Sequence, residues 1–414
     1  MKKTLLAAAL VTGFAGVAQA ESSVTLYGLV DAGYGFQQLE TKYRGAYENG
    51  KITQRDIGVY SGVLNGNRWG LKGTEDLGNG TSAIFVLESG FDLADGRSLQ
   101  GGRLFGRQAY VGLTGESWGT FSIGRQYNAG EKFVSLIDPF STGGGYAAVN
   151  TSFGNSVFDR YDSVIKYLSP SFGGFQFGIG VVHNDSETKY TGATAVRDSG
   201  EVRDYKIISR EVGVSTGLGY TNGPLYVGAS FDNIDKKYHD HSASLSDTSL
   251  HVHERHKTKA WNIGGTYDFD VVKLHLLYGG QADGSIGGTG MLAEAAWAGA
   301  AAYGVSNQNA GVFNGDGLKQ HSWLAGLTAP VGDAGSLMFS YTGNTVKNTD
   351  VAPDVKIKSH NFGLGYRHSF SKRTSVYGVA TYGWSEAKER HLVNGTGKVK
   401  VTATQAIIGL QHRF

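Results

Sequence analysis

The charged residues of this 414-residue chain are spaced for electrostatics and not for bond-making. Arg68, Gly70, Lys72 and Thr74 fall on alternate positions, opposite Trp69 and Leu71. Arg160, Asp162, Val164 and Lys166 do the same. In extended backbone each set shares one face and presents two cations there. Glu88 and Asp92 share a face opposite Phe85 and Leu87. Arg107 and Arg125 fit less simply: alternation groups Arg107 with Ala109, Val111 and Leu113, and Arg125 with Phe121 and Ile123. Each joins the other cations only where a bulge resets the parity or the face is mixed. The interval 128–159 gathers Glu131, Asp138 and Asp159 against a single Lys132. Fixed charges facing one another across a gap sort ions and polar solutes and make no bonds.

The residues of catalysis lack the spacing of catalysis. There is no nucleophile elbow, and no P-loop, dinucleotide fingerprint or zinc-protease helix. His239, His241, His251, His253 and His256 crowd one polar stretch. Imidazole is a common metal ligand, yet no carboxylate framework is evident to orient these rings. The stretch is read as a polar loop, with neither a metal nor a cofactor expected. The formal net charge of +2 resides in Lys2 and Lys3, so the remainder is neutral. That denies the basic footprint needed by a nucleic-acid partner. The aromatics near strand ends fit interfacial girdles better than stacking platforms for bases.

The elements that position these charges begin after a leader. Lys2 and Lys3, an Ala-rich apolar run from Leu5 to Val17, and Ala18-Gln19-Ala20 have the order of a secretory signal peptide cleaved after Ala20. This divides the chain into a leader, 1–20, and one domain, 21–414. With no cysteine, the exported domain must close its fold without disulfides. Its 63 glycines, 12% aromatics and only 5 prolines suit many strands joined by turns. No later apolar run approaches the ~18 residues of a spanning helix. A membrane-spanning chain of this kind must therefore be a closed barrel, the other structure that satisfies its backbone in lipid.

From Ser23 onward, segments of about ten residues alternate in polarity, as barrel strands do. Leu26, Gly28 and Val30 share one face, and Thr25, Tyr27 and Asp31 the other. Connections alternate in length as well. Short ones lie at 75–80, 115–118, 169–174, 221–224, 268–270, 330–335 and 370–373. Long ones lie near 38–66, 95–104, 128–159, 185–211, 235–257, 281–318, 345–356 and 385–399. Tight turns at one end and long loops at the other mark an outer-membrane barrel of roughly sixteen antiparallel strands with both termini at the short-turn, periplasmic end. Within 281–318, the Ala-rich stretch 291–303 is expected to form a short extracellular helix. Ile408, Leu410 and Phe414 share a face, and the terminal Phe414 is the signal that the barrel-assembly machinery reads in such proteins.

On specific blocks, the chain resembles the general porins of Gram-negative bacteria, of the neisserial and β-proteobacterial type. The blocks are 23–33 (SVTLYGLVDAG), 67–80 (NRWGLKGTEDLGNG), 87–91 (LESGF), 107–113 (RQAYVGL), 119–126 (GTFSIGRQ), 371–378 (SKRTSVYG) and 409–414 (GLQHRF). They follow in order across nearly the whole mature chain, while the middle third matches by layout more than by motif. The resemblance implies a homotrimer of sixteen-stranded barrels in the outer membrane, each with its third loop folded into the pore. It also implies pore-lining cations at the Arg68, Arg107 and Arg160 positions. Outer-membrane lipid and lipopolysaccharide are the expected surroundings.

Together these readings describe passive diffusion of small hydrophilic solutes and ions through a charged constriction. The expected lumenal wall is Arg68, Lys72, Arg107, Arg125, Arg160 and Lys166 with Glu88 and Asp92. The expected loop contribution is Glu131, Lys132, Asp138 and Asp159. More cations than anions on the wall suggests a modest anion preference, offset by the acidic loop. A substrate-specific channel is the alternative, with an outer-membrane enzyme or adhesin behind it.

Overall fold

The computed structural model describes residues 23–44, 49–153, 157, 159–190, 195–197, 200–244, 250–284, 316–350, 355–389 and 398–414. The leader and the 291–303 stretch lie outside them.

One antiparallel sheet closes on itself. Its strands are β1 (Ser23–Arg44), β2 (Asn49–Ser61, resuming at Arg68–Gly78), β3 (Thr81–Gly90), β4 (Gln108–Gly115), β5 (Gly119–Tyr127) and β6 (Arg160–Leu168). They continue as β7 (Phe175–Tyr190), β8 (Gly200–Asn222), β9 (Leu225–Ser244), β10 (Leu250–Asp268) and β11 (Lys273–Ala282). The last five are β12 (Leu318–Val331), β13 (Gly335–Asn348), β14 (Val355–Ser369), β15 (Thr374–Glu389) and β16 (Lys398–Arg413). Both halves of β2 pair with β1, the first above and the second below, so they form one interrupted strand. That makes sixteen barrel strands; a further three-residue strand, Ala195–Arg197, pairs with the start of β8. β1 also pairs with β16 from Leu29↔Arg413 to Arg44↔Lys398, and Gly28 and Phe414 exchange backbone hydrogen bonds of 3.1 Å. No sheet edge is left exposed at the seam.

Asp31 fastens this seam. Its buried carboxylate accepts from the backbone N–H groups of Val63, Leu64 and Asn65 at 3.0–3.1 Å, where β2 is interrupted. It also accepts from Tyr377 Oη on β15 and Gln411 Nε2 on β16 at 2.5 and 2.9 Å. One side chain thus ties four strands together.

Several expected long loops are strands. The expected loops at 38–66, 185–211 and 235–257 are largely hairpins in which β1–β2, β7–β8 and β9–β10 run on past the barrel wall. Outside the bilayer both faces of a hairpin meet water, so the hydrophobic alternation that marks a strand disappears there. The β9–β10 hairpin pairs His239 with His253 and His241 with His251 in backbone register. The side chains of His241, His251, His253 and His256 lie outside the described residues.

The outer face is layered. Along β14, Lys356, Lys358, His360, Phe362, Leu364 and Tyr366 alternate with Val355, Ile357, Ser359, Asn361, Gly363 and Gly365, which are buried on the inside. Rings of Tyr341, His360, Phe362, Tyr382 and Trp384 interlock in an upper girdle. Tyr366, His368 and Phe370 belong to a lower one. His360 and His368 are eight residues apart, or ~26 Å along the strand at ~3.3 Å per residue. At ~40° of strand tilt the two rings stand about 20 Å apart across the membrane, spanning most of an apolar band of ~25 Å.

Candidate functional site: the pore constriction

The segment after β5 folds inward. It contains a helical turn α1 (Glu131–Val134), 3-10 turns at Ser135–Ile137 and Gly145–Ala147, and a second helical turn α2 (Asn150–Phe153). It stays inside because apolar side chains on the inner wall of β11–β16 receive it. Val134, Ile137, Val149, Phe153 and Val157 pack with Leu277 and Leu324, while Phe140 and Ala147 pack with Met338, Val379 and Ile407. Inward glycines make room. A Cβ on Gly217 would lie 2.4 Å from the Phe133 ring, and one on Gly228 would lie 2.4 Å from the Phe133 carbonyl oxygen. One on Gly363 would lie 2.2 Å from Ala147.

Loop carbonyls find donors on the wall. Ser152 O accepts from Gln320 Nε2 (2.7 Å), Ser322 Oγ (2.8 Å) and Asn344 Nδ2 (3.0 Å). Ala147 O accepts from Ser340 Oγ and Phe133 O from Tyr226 Oη. His275 Nδ1 lies 2.9 Å from Ile137 O. Buried carbonyls of the loop are thereby given donors from the wall. These small polar wall residues were not singled out from the sequence; their only signal is alternation of Gln, Ser, Thr and Asn along β12–β14.

Across from these packing contacts, the charged side chains gather against β2–β6. Arg68, Arg107 and Arg160 form one charged group with Glu88 and Tyr127. Arg107 donates through Nε to Glu88 at 2.7 Å and through Nη2 to Tyr127 Oη at 2.8 Å. Arg160 also donates to Tyr127 Oη and lies over its ring, 4.2 Å from the centroid. Tyr27 Oη donates to Glu88 at 3.1 Å, and Lys72 Nζ sits 5.5 Å from the centroid of the Tyr27 ring. Lys166 Nζ donates to Tyr127 O at 3.1 Å. Arg107 faces inward because of a bulge: its N–H bonds Glu88 O at 3.1 Å while Gln108 takes the register position opposite Glu88.

Three expected wall placements are corrected. Arg125 keeps the outward parity of Phe121 and Ile123; its Nη1 donates to Asp162 at 2.6 Å. Asp162 does not share the face of Val164 and Lys166, because Ser163, at φ 53°, bulges and shifts the register between β5 and β6. Arg103 completes this outer cluster, 2.9 Å from Asp162. Asp92 lies beyond β3 and pairs with Arg97 at 3.5 Å, away from the inner charges.

The loop residues divide as well. Glu131 faces Lys166 and Arg160; burial pushes its carboxyl up against the pull of these cations. Lys132 lies beside it, its ammonium pushed down by partial burial. Asp159 sits at the neck of the loop, accepting from the Arg160 N–H at 2.8 Å, with its carboxyl also pushed up by burial. Asp138 is not a pore-facing charge. It is buried and accepts from the N–H groups of Phe140, Thr142 and Val149 at 2.9–3.0 Å, with burial pushing its carboxyl up to about 6. It shapes the loop from within.

A closed sixteen-stranded barrel with an apolar outer band and an inner constriction of facing charges is an outer-membrane channel. Residues 6–388 match the family described as Gram-negative porin, and the chain belongs to that family. It is 38% identical to an outer membrane porin protein of Bordetella pertussis over the full length of both chains. It is 28% identical to outer membrane porin protein 32 of Delftia acidovorans, over 91% of this chain and 88% of that one. Among solved structures, an anion-selective porin from Comamonas acidovorans superposes with a TM-score of 0.62 at 25% identity, covering 95% of this chain and all of that one. A trimer form of an outer membrane protein of Vibrio cholerae shares the fold at 13% identity, with a TM-score of 0.54 over 95% of this chain and 99% of that one. The protein is a general diffusion porin of the Gram-negative outer membrane and not an enzyme.

Proposed function

We propose that the constriction favours small anions modestly over cations, and that Arg68, Lys72, Arg107, Arg160 and Lys166 exert this preference. The observation that carries the reading is the partition of the lumen. An apolar-backed loop crowds one half and drives the water path against five cations. Glu88 is engaged by Arg107, and Glu131 supplies the opposing charge. Rings of fixed charge set ion preference in just this way, and the Comamonas acidovorans structure belongs to a porin described as anion-selective. The test is the reversal potential across a KCl gradient in planar bilayers. Its sign should report chloride as the more permeant ion; cation preference overturns the reading.

The channel works as a homotrimer in this proposal, with β3–β6 turned toward neighbouring copies. β4 has 8 residues and β5 and β6 have 9 each, against 23 in β8. At ~3.3 Å per residue and ~40° of tilt, eight residues rise only about 20 Å, short of the ~25 Å apolar band. The same low wall carries Arg125 and Asp162 outward, with Arg103 of the β3–β4 connection beside them, and arginine on a lipid-facing wall costs up to about 2–4 kcal/mol at mid-depth. A protein neighbour suits this wall better than lipid. Chemical crosslinking of purified protein should yield a trimer band; a monomer at every protein concentration refutes it. Removal of residues 1–20 on export, and reading of the strand ending in Phe414 by the assembly machinery, complete the proposal.

A further inference from the structure

The histidines between 239 and 256 take no part in the constriction. In a polar loop they would have no fixed relation to one another; in the β9–β10 hairpin they have one. His239-Asp240-His241 on β9 and His251-Val252-His253 on β10 are two His-X-His runs, and the register sets them opposite each other, His239 against His253 and His241 against His251. Residues two apart on a strand share a face, and so do residues directly paired across an antiparallel ladder. The four positions are therefore the corners of one rectangle on one face of the hairpin, about 5 Å across the strands and about 7 Å along them. His256 is not among them: it pairs with Lys236 on the other face.

Two further observations define what such a set would take. The first is the company it keeps. On the same face Asp185, Glu187 and Asp235 are already engaged, by Arg210 (3.8 Å), Lys206 (3.2 Å) and Arg255 (2.7 Å). The donors left to this rectangle are imidazole nitrogens, which suit zinc and copper and not the oxygen-seeking calcium and magnesium. The second is access. Phe231 stands on the exposed outer wall, and His239 lies eight residues beyond it on β9, about 26 Å along the strand. At ~40° of tilt that is about 20 Å farther along the membrane normal, on the water side of the long-connection end. β11 pairs with β10 only as far as Lys259↔Ala282, so among the described residues no further strand lies against the edge of β10 that carries His251 and His253.

We propose that His239, His241, His251 and His253 bind one divalent transition-metal ion, zinc or copper, at the extracellular end of the hairpin, and that the ion clips β9 to β10 outside the membrane. The paired His-X-His register carries the inference. Each strand alone offers two imidazoles; the ladder brings the two pairs within the span over which four rings can converge on one ion at ~2.0–2.1 Å from each nitrogen.

The test titrates the folded, full-length protein in detergent calorimetrically with zinc chloride and, separately, with calcium chloride. Zinc should saturate at one ion per chain, and calcium should give no binding. The double variant His241→Ala, His253→Ala removes one imidazole from each strand and should weaken zinc binding at least about a hundredfold, since losing outer-sphere partners of a metal ligand alone costs 10- to 100-fold. His256→Ala removes the same kind of side chain from the other face and should leave the titration unchanged. Native zinc affinity in the double variant overturns the proposal. So does equal weakening by His256→Ala, the behaviour of scattered surface histidines, and so does calcium binding as tight as that of zinc. Copper loading of the native protein gives a readout that needs no variant: its electron paramagnetic resonance spectrum should show coupling to imidazole nitrogens, and a spectrum without it overturns the proposal. Single-channel conductance of both variants should equal that of the native protein, because the hairpin lies beyond the barrel wall.

Discussion

Replacing Arg68 by alanine removes one unit charge from the wall and leaves Lys72, Arg107, Arg160 and Lys166 in place. An ion passing about 5 Å from the guanidinium interacts with it by about 0.8 kcal/mol in a water-like dielectric. In 0.1 M salt, with a Debye length of ~10 Å, this falls to about 0.5 kcal/mol. Chloride loses that attraction and potassium loses the matching repulsion, so the permeability ratio shifts by about 1 kcal/mol. That is about fivefold as an upper value, and three- to fivefold is expected because the other cations hold the field. In 1 M salt the Debye length of ~3 Å reduces the shift to less than about twofold. The assay is the reversal potential across a KCl gradient, repeated at both ionic strengths. Arg125→Ala is the control: it removes the same charge from the outer face and should leave the ratio unchanged. An unaltered ratio for Arg68→Ala at low salt, or an equal shift from Arg125→Ala, refutes the assignment of faces on which the argument stands.

Acidification should strengthen the anion preference. Burial raises the Glu131 carboxyl, so as pH falls it takes up its proton before an ordinary carboxylate and leaves Lys166 and Arg160 unopposed. Glu131→Gln should show the acid-type selectivity already at neutral pH and lose this pH dependence in the reversal potential. Gly228→Ala places a methyl 2.4 Å from the Phe133 carbonyl oxygen and must push α1 into the water path; single-channel conductance should drop while the folded barrel persists. Asp31→Ala strips the shared acceptor from three backbone N–H groups, Tyr377 and Gln411. A loss of about 3–5 kcal/mol is expected from the groups left unpaired, read as a lower urea midpoint for the folded form on unheated gels.

The faces of Arg68 and Lys72 were legible in the sequence because nothing interrupts β2 between 68 and 74, so alternation carries from residue to residue. The faces of Arg107 and Asp162 were not. At one place the Arg107 N–H doubles up opposite Glu88, and at the other Ser163 adds a residue to β6. A bulge is a one-residue event with no composition of its own, yet it breaks the alternation on which the neighbouring assignments rest. Arg125 shows the converse: its parity with Phe121 and Ile123 was the correct guide, and no bulge in the β4–β5 register rescues it for the lumen. The extended hairpins were hidden for a different reason, since strands wetted on both faces lose their periodic signal.

The inward loop is the deepest consequence of residues that carry no charge. Its excess length between Asn128 and Asp159 was readable, but its resting place depends on Leu277, Leu324, Met338, Val379 and Ile407 pointing into the barrel. In a lumen that is otherwise polar, those side chains would face water if the loop were elsewhere. Burying each stabilises by about 1.5–3 kcal/mol relative to exposure, and Gly217, Gly228 and Gly363 remove the side chains that would obstruct the fit. These inward apolar residues therefore decide where the loop lies, and in the proposed reading the loop leaves open the half lined by Arg68, Lys72, Arg107, Arg160 and Lys166. The proposed anion preference depends as much on where hydrophobic residues turn inward as on where arginines do.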